Sequence, residues 1–162
     1  MNIKIFHILL LLTGGLGIMN PAIAGKADLV GTAVVNDMRI EFYMEAPKHG
    51  MVMTSGMSMK MSDGLPTHHP EVKVFDVESG KFIPYLDVVL HFKNVASGQI
   101  HMLTLPAMLG SWFHYGRNGA LPDKGKYEVK VFINPQELMR YKHMAEKWAK
   151  PAIVTFTYEW KG

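Results

Sequence analysis

The sequence contains no cysteine among its 162 residues. This absence excludes disulfide bonds and every metal site that depends on thiolate ligands. A metal bound by this chain would therefore be held by methionine, histidine or carboxylate side chains. Residues 25–162 also lack the HExxH, Walker A, GxGxxG and GxSxG motifs, and the few serines have no neighbouring base pattern. The sequence gives no support for an enzyme.

Long hydrophobic runs and a strong charge excess are missing as well. The apolar run Ile8–Leu12 is far shorter than the roughly 18 residues expected of a membrane anchor. Because Lys4 precedes it and Ala22-Ile23-Ala24 follows it, we predict a cleaved signal peptide over residues 1–24. The remainder, residues 25–162, is predicted to be one exported domain without a transmembrane anchor. Seventeen basic residues against 14 acidic ones are scattered along the chain and do not support nucleic-acid binding.

Histidine and methionine are abundant where cysteine is missing. Seven of the eight histidines and 11 of the 13 methionines lie in residues 25–162. Imidazole and thioether are soft or borderline ligands that suit copper, and they persist in an oxidising compartment. The composition therefore favours a protein that holds copper without thiols.

Five methionines are concentrated in residues 49–61, which read HGMVMTSGMSMKM. All five have odd numbers, so an extended strand would place their thioethers on one face. Such a face could bind a soft metal such as Cu(I), or it could pack as an apolar surface against a second sheet. Both interpretations stay open for this segment, which comprises Met51, Met53, Met57, Met59 and Met61.

The remaining pattern predicts an all-β fold. Short alternating segments are separated by turn signals every 8 to 14 residues, and Asn36-Asp37 is expected to join a hairpin of residues 28–35 and 38–46. Residues 136–149 form the one helix-like stretch, and Pro151, two residues further on, cannot continue a helix. We predict an immunoglobulin-like β-sandwich of about seven to eight strands, with a short C-terminal helical segment before the last strand.

Three groups of residues have the spacing of metal ligands. His69 and Glu71 are two apart at the start of a strand and would face the same side. Met108 and His114 flank a glycine-containing loop, and His143 lies on the helix-like stretch. Each group also has an explanation without metal. His69 and Glu71 could be a loop histidine and a solvated glutamate. The segment of Met108 and His114 could be the end of the core, and His143 could be an exposed helical histidine.

Four other histidines are weaker candidates. His91 and His101 lie on strands expected to pair and are interpreted as cross-strand neighbours. His49 and His68 are additional donors that a metal site could recruit.

Several short motifs recur in the order found in one known family. The chain resembles the periplasmic, iron-transport-associated copper-binding proteins that accompany Ftr1-type iron permeases. The resemblance covers most of residues 38–160 and rests on these segments: Tyr43 to Pro47, His69-Pro70-Glu71, Ile83 to Leu86, Leu105 to Met108, His114-Tyr115-Gly116 and Lys147-Trp148.

The resemblance implies an immunoglobulin-like sandwich, often dimeric, that binds copper and is associated with iron uptake. It also implies a ligand set, carried over by position, of His69, Glu71, Met108, His114 and His143. A homodimer, a membrane permease and a metal-delivery protein are the implied partners, with copper as the cargo and iron as the other candidate. The methionine-rich segment lies outside the family pattern and favours copper over iron.

A protein-interaction module is the alternative function. A β-sandwich of the cell envelope with a methionine and aromatic face could bind a partner protein and carry no metal.

Overall fold

The computed structural model describes residues 27–49 and 65–162. The predicted signal peptide and the five methionines of the methionine-rich segment lie outside this part of the chain. Within it there are nine strands: β1 (Asp28–Val35), β2 (Met38–Glu45), β3 (His69–Asp76), β4 (Leu86–Asn94), β5 (Ile100–Leu105), β6 (Ala107–Leu109), β7 (Phe113–Gly116), β8 (Gly125–Pro135) and β9 (Ala152–Trp160).

The strands form two antiparallel sheets that pack as a sandwich. One sheet has the order β1-β2-β3-β7-β6 and the other has the order β5-β4-β8-β9. The predicted all-β sandwich is confirmed. The described residues contain nine strands rather than seven or eight because the short strands β6 and β7 form a small hairpin at the sheet edge. No helix in the described residues has the length and hydropathy required to cross a membrane.

The predicted first hairpin is confirmed in its turn and its pairing. Asn36 and Asp37 adopt φ angles of 48° and 63°, and Val35 pairs with Met38 across them. A two-residue turn with two left-handed residues matches the twist of the flanking strands, and Asn and Asp tolerate that conformation.

Alternation along β2 and β3 divides the first sheet into a core face and an outer face. Val72 and Val74 are fully buried in the core shared by both sheets, whereas His69 and Glu71 occupy the alternate positions. Phe42 of β2 packs between Phe92 and Phe156 of the opposite sheet, with ring centroids 6.3 and 5.6 Å away. Because neighbours on a strand face opposite sides, the apolar core of β3 positions the polar residues on its outer face.

The predicted C-terminal helix is reduced to one 3₁₀ turn at Lys142–Met144. The residues that follow the turn bind Asp76 at the end of β3. The Lys147 ammonium lies 3.2 Å from the Asp76 carboxylate, and the Trp148 indole N–H donates to the same carboxylate. Ser79 also donates to Asp76 from its backbone N–H and its hydroxyl. These hydrogen bonds, those of Ser79 foremost, hold the pKa of Asp76 far below its usual range. Tertiary contacts therefore override the helical pattern of this segment.

Candidate metal centre

Three of the predicted ligands meet on the outer face of the first sheet. The imidazoles of His69 and His114 and the carboxylate of Glu71 each offer a ligand atom, and these atoms all lie within 4.8 Å of one another. His69 and Glu71 come from β3, and His114 comes from β7, which pairs with β3. All three residues are buried.

Glu71 lies within reach of both imidazoles without a hydrogen bond to either. Its Oε1 atom is 3.8 Å from His69 Nε2 and 3.5 Å from His114 Nε2, and the two rings are nearly perpendicular. These separations exceed the roughly 3.2 Å limit of a good N–H···O hydrogen bond. The two nitrogens and the carboxylate converge on common space instead of satisfying one another.

The opposite nitrogen of each ring is fixed by an acceptor. His114 Nδ1–H donates to the carbonyl oxygen of Trp112, and His69 Nδ1–H donates to Oδ1 of Asn118, both at 2.9 Å. A carbonyl oxygen can only accept, so each neutral ring carries its proton on Nδ1 and has a lone pair on Nε2. Metal-binding histidines are oriented in this way in known sites.

Both Nε2 atoms are buried and have no hydrogen-bond partner among residues 27–49 and 65–162. A buried nitrogen left unpaired costs about 1–3 kcal/mol, which a bound cation would remove. Burial is also the main cause that lowers the pKa of His69, so this imidazole favours its neutral, ligating form. Two imidazole Nε2 atoms beside one carboxylate therefore fit a transition-metal cation such as copper.

Gly116 makes room for this arrangement. It pairs with Glu71 across the β3–β7 ladder. A Cβ atom added to Gly116 would lie 2.8 Å from His114 Cδ2 and 3.0 Å from the Nε2 atoms of both His114 and His69. The backbone of β7 thus approaches the two ligand nitrogens closely only because this residue has no side chain.

Met108 is directly opposite His114 in the β6–β7 hairpin. Directly opposite residues of an antiparallel pair project from the same face, with Cβ atoms about 4.5–5.5 Å apart. The half-buried thioether of Met108 is therefore on the side of the centre. Of the five predicted ligands, four belong to this region of the outer face.

His143 lies apart from the other four within this chain. It is exposed on the 3₁₀ turn, where its ring stacks on Tyr141 at a centroid distance of 5.9 Å. Four residues later, Lys147 is bound to Asp76, at the opposite end of β3 from His69. The two ends are seven residue steps apart along the strand, which corresponds to about 23 Å.

Asn118 supports the candidate centre and is absent from the ligands that the sequence predicts. Its Oδ1 atom accepts from His69 and from the backbone N–H of Lys48, and its Nδ2–H₂ group donates to the Lys48 carbonyl oxygen at 2.6 Å. One carboxamide thus orients a ligand and fixes the chain that leads into the methionine-rich segment. His69 and Asn118 are 49 positions apart in the sequence, so no local pattern reveals the pair. Gly116 stands out in the sequence only as part of the His-Tyr-Gly motif.

Comparison with family models gives a match over most of the chain. The model described as "Fe2+ transport protein" matches residues 30–162. The chain belongs to this Fe2+ transport protein family. A UPF0423 protein of Brucella abortus is 25% identical over 93 residues, which is 51% of either chain, so the match spans about half the length of this curated relative.

Solved structures of two proteins share the fold. A copper-bound variant of FetP from uropathogenic Escherichia coli aligns with a TM-score of 0.71 and 22% identity, over 85% of this chain and 99% of that one. A copper-bound variant of Campylobacter jejuni P19 aligns with a TM-score of 0.72 and 23% identity, over 85% and 98%. Another FetP structure is of protein expressed in the Escherichia coli periplasm. At this identity the likeness establishes the sandwich fold.

Proposed function

We propose that this protein is a periplasmic, non-enzymatic copper-binding protein that takes part in copper homeostasis or in copper-linked iron uptake. His69, Glu71, Met108 and His114 hold the metal. The observation that carries the proposal is the pair of buried Nε2 atoms on either side of the Glu71 carboxylate, neither of which has a hydrogen-bond partner among the described residues. The copper-bound state of the structural neighbours supports the same cargo.

The mixed donor set favours copper over iron. Imidazole and carboxylate stabilise Cu(II), and the Met108 thioether favours Cu(I), so the centre tolerates both oxidation states. Membership of the Fe2+ transport family supports a place in iron uptake. Iron itself is the second candidate cargo, because histidine and carboxylate also bind Fe(II).

A second copy of the chain is the proposed source of His143. Within one chain the Lys147–Asp76 contact holds the 3₁₀ turn near the far end of β3. A homodimer could bring His143 of the other copy to the four ligands. A membrane permease or a metal-delivery protein is the other proposed partner.

Metal titration of the mature chain tests the main centre. Purified residues 25–162 should bind one Cu(II) tightly, and His114→Ala or His69→Ala should abolish that binding while circular dichroism stays unchanged. His91→Ala is the matched control, because it removes an imidazole from the outside of the other sheet. Wild-type copper affinity in both ligand variants would show that the assigned site is wrong.

Met108→Leu separates the two oxidation states. Leucine preserves most of the apolar volume and removes the sulfur. Cu(I) affinity should fall by at least tenfold while Cu(II) affinity changes little, since only the soft ion depends on the thioether. Equal losses for both ions would argue that Met108 acts through packing. Leucine at the five positions of the methionine-rich segment tests in the same way whether that segment adds Cu(I) capacity.

The interaction-module alternative has one observation in its favour. Leu109, Trp112 and Phe113, at the end of the β6–β7 hairpin, are 73%, 74% and 59% exposed. Exposed apolar groups of this size often mark a contact surface. A pure interaction module should contain no metal when purified without chelator, whereas the copper-binding proposal requires metal.

A further inference from the structure

A cavity on the inner side of the sandwich contains a second set of histidine and methionine side chains. It has a volume of about 220 Å³ and is lined by Met44, His68, His101 and Phe92 among others. Met44 and Phe92 belong to the buried core. His69 and Glu71 lie on the outer face of the first sheet, so this cavity is separate from the candidate metal centre.

His101 projects into the sandwich. It is directly opposite Phe92 in the β4–β5 ladder, whereas His91 is opposite Met102. Directly opposite residues share a face, so His101 lies on the core side with Phe92 and His91 lies on the outside. The prediction that His91 and His101 are cross-strand neighbours is wrong, because neighbouring ladder positions alternate between faces.

The Nε2 atom of His101 is buried and has no hydrogen-bond partner in the part of the chain that the structure describes. An unpaired buried nitrogen is unfavourable by about 1–3 kcal/mol. It is one of the few such atoms in the described residues, and two of the others are the Nε2 atoms of the candidate metal centre. A buried imidazole nitrogen without a partner therefore occurs both at the candidate metal centre and at this cavity.

His68 is held at the wall of this cavity. Its Nδ1 atom is 2.7 Å from the Thr67 hydroxyl oxygen, which also accepts from the Leu121 backbone N–H. The edge contacts of its ring with Tyr158 and Trp160 have centroid distances of 5.6 and 4.9 Å. Ligation through Nε2 requires the tautomer in which Nδ1–H donates to Thr67, and the neighbouring rings limit how far the imidazole can turn.

The donors of this cavity are imidazole and thioether groups. The described residues that line it include no carboxylate, lysine or arginine. A hard divalent ion would enter without charge compensation at a large desolvation cost, whereas a soft monovalent ion costs less and prefers thioether and imidazole ligands. The volume is sufficient for several water molecules of about 30 Å³ each, so the ion can enter while partly hydrated.

We propose that this cavity is a second metal site, for a soft monovalent cation of the Cu(I) or Ag(I) class, with His101, His68 and Met44 as its donors. It binds independently of the outer-face centre. Its donors lie on three different strands or strand ends of both sheets, so a bound ion links the two layers of the sandwich.

Titration with Ag(I) tests this site in a background that lacks the thioethers of the outer-face centre and of the methionine-rich segment. The background is the mature chain with His114→Ala, with Met108→Leu and with leucine at the five positions of the methionine-rich segment. It should still bind one equivalent of Ag(I). Adding His101→Leu should remove that equivalent, and adding His91→Leu should not, because His91 lies on the outside of the same strand pair. An equal effect of the two variants, or a background that binds no Ag(I), would overturn the proposal.

Nitrogen-15 NMR of the wild-type protein makes the test independent of variant folding. Ag(I) should shift the Nε2 resonance of His101 markedly and leave both nitrogens of His91 unchanged. A His101 resonance that stays constant while Ag(I) saturates the protein would show that the cavity holds only water. Without metal, His101→Leu should melt at the wild-type temperature or above, since it removes an unpaired nitrogen and fills space.

Discussion

Substitution of Gly116 by alanine tests the geometry of the candidate centre without removing a ligand. The added methyl carbon would lie 2.8 Å from His114 Cδ2 and 3.0 Å from the Nε2 atoms of His114 and His69. Both rings must retreat by a few tenths of an ångström to relieve these contacts. Metal–nitrogen bonds are about 2.0–2.1 Å long and tolerate deviations of only about 0.2 Å. The required displacement is therefore larger than the coordination can absorb.

The rings cannot retreat without a further loss. Moving His114 lengthens its bond to the Trp112 carbonyl, and moving His69 lengthens its bond to Asn118. Loss of such orienting hydrogen bonds alone weakens metal binding by roughly 10- to 100-fold. We expect Gly116→Ala to lower copper affinity by at least that factor, as measured by competition with a chromophoric chelator.

Folding should survive this substitution, and a matched control is available. The φ angle of Gly116 is not among the positive ones, so alanine introduces no left-handed strain. Gly110→Ala serves as the control, because its Cβ would contact the same His114 ring at an ordinary 3.4 Å. It should leave copper affinity within about threefold of wild type. If Gly116→Ala binds copper as wild type does, the two Nε2 atoms are not the ligands.

Three further predictions concern residues that support the centre and the fold. Asn118→Ala should weaken copper binding about 10- to 100-fold by releasing His69, and an undiminished affinity would contradict an orienting role. Asp76→Asn should lower the free energy of unfolding, measured with urea at neutral pH, by about 1–3 kcal/mol. Because the folded-state pKa of Asp76 is lowered, wild type should lose this advantage as pH falls below about 4, and an advantage that persists in acid would refute the assignment. Burial raises the pKa of Tyr115 to about 12, so wild-type stability should fall as pH rises from about 10 to 12. Tyr115→Phe should lower the free energy of unfolding by about 1–3 kcal/mol below pH 10. Between pH 10 and 12 its stability should fall less steeply than that of wild type, and an equally steep fall would refute the account.

Strand alternation and turn chemistry made much of the fold predictable. The Asn36-Asp37 turn and the apolar alternation of β4, β8 and β9 are local signals, so the hairpin and the sandwich follow from them. The helix-like residues 136–149 were misleading, because bonds from Lys147 and Trp148 to Asp76 are contacts between distant parts of the chain. Local periodicity cannot report such contacts.

The ligands were more predictable than their supports. His69 and Glu71 share a strand face by simple spacing, and His114 follows from the family resemblance. Asn118 contacts a residue that is distant in the sequence, and Gly116 makes room because it has no side chain. No local sequence pattern indicates either role. The inward direction of His101 depends on the β4–β5 register, and a shift of one residue would have reversed it.

The alternation of β3 has a consequence for how this family can diversify. Val72 and Val74 pack in the core from one face, and the candidate ligands His69 and Glu71 lie on the other. Replacing one of the two outer residues leaves the apolar contacts of the valines in place. An insertion or deletion of one residue would instead turn the carboxylate toward the apolar core and the valines outward. The strand therefore accepts substitution at its outer positions more readily than a change in length.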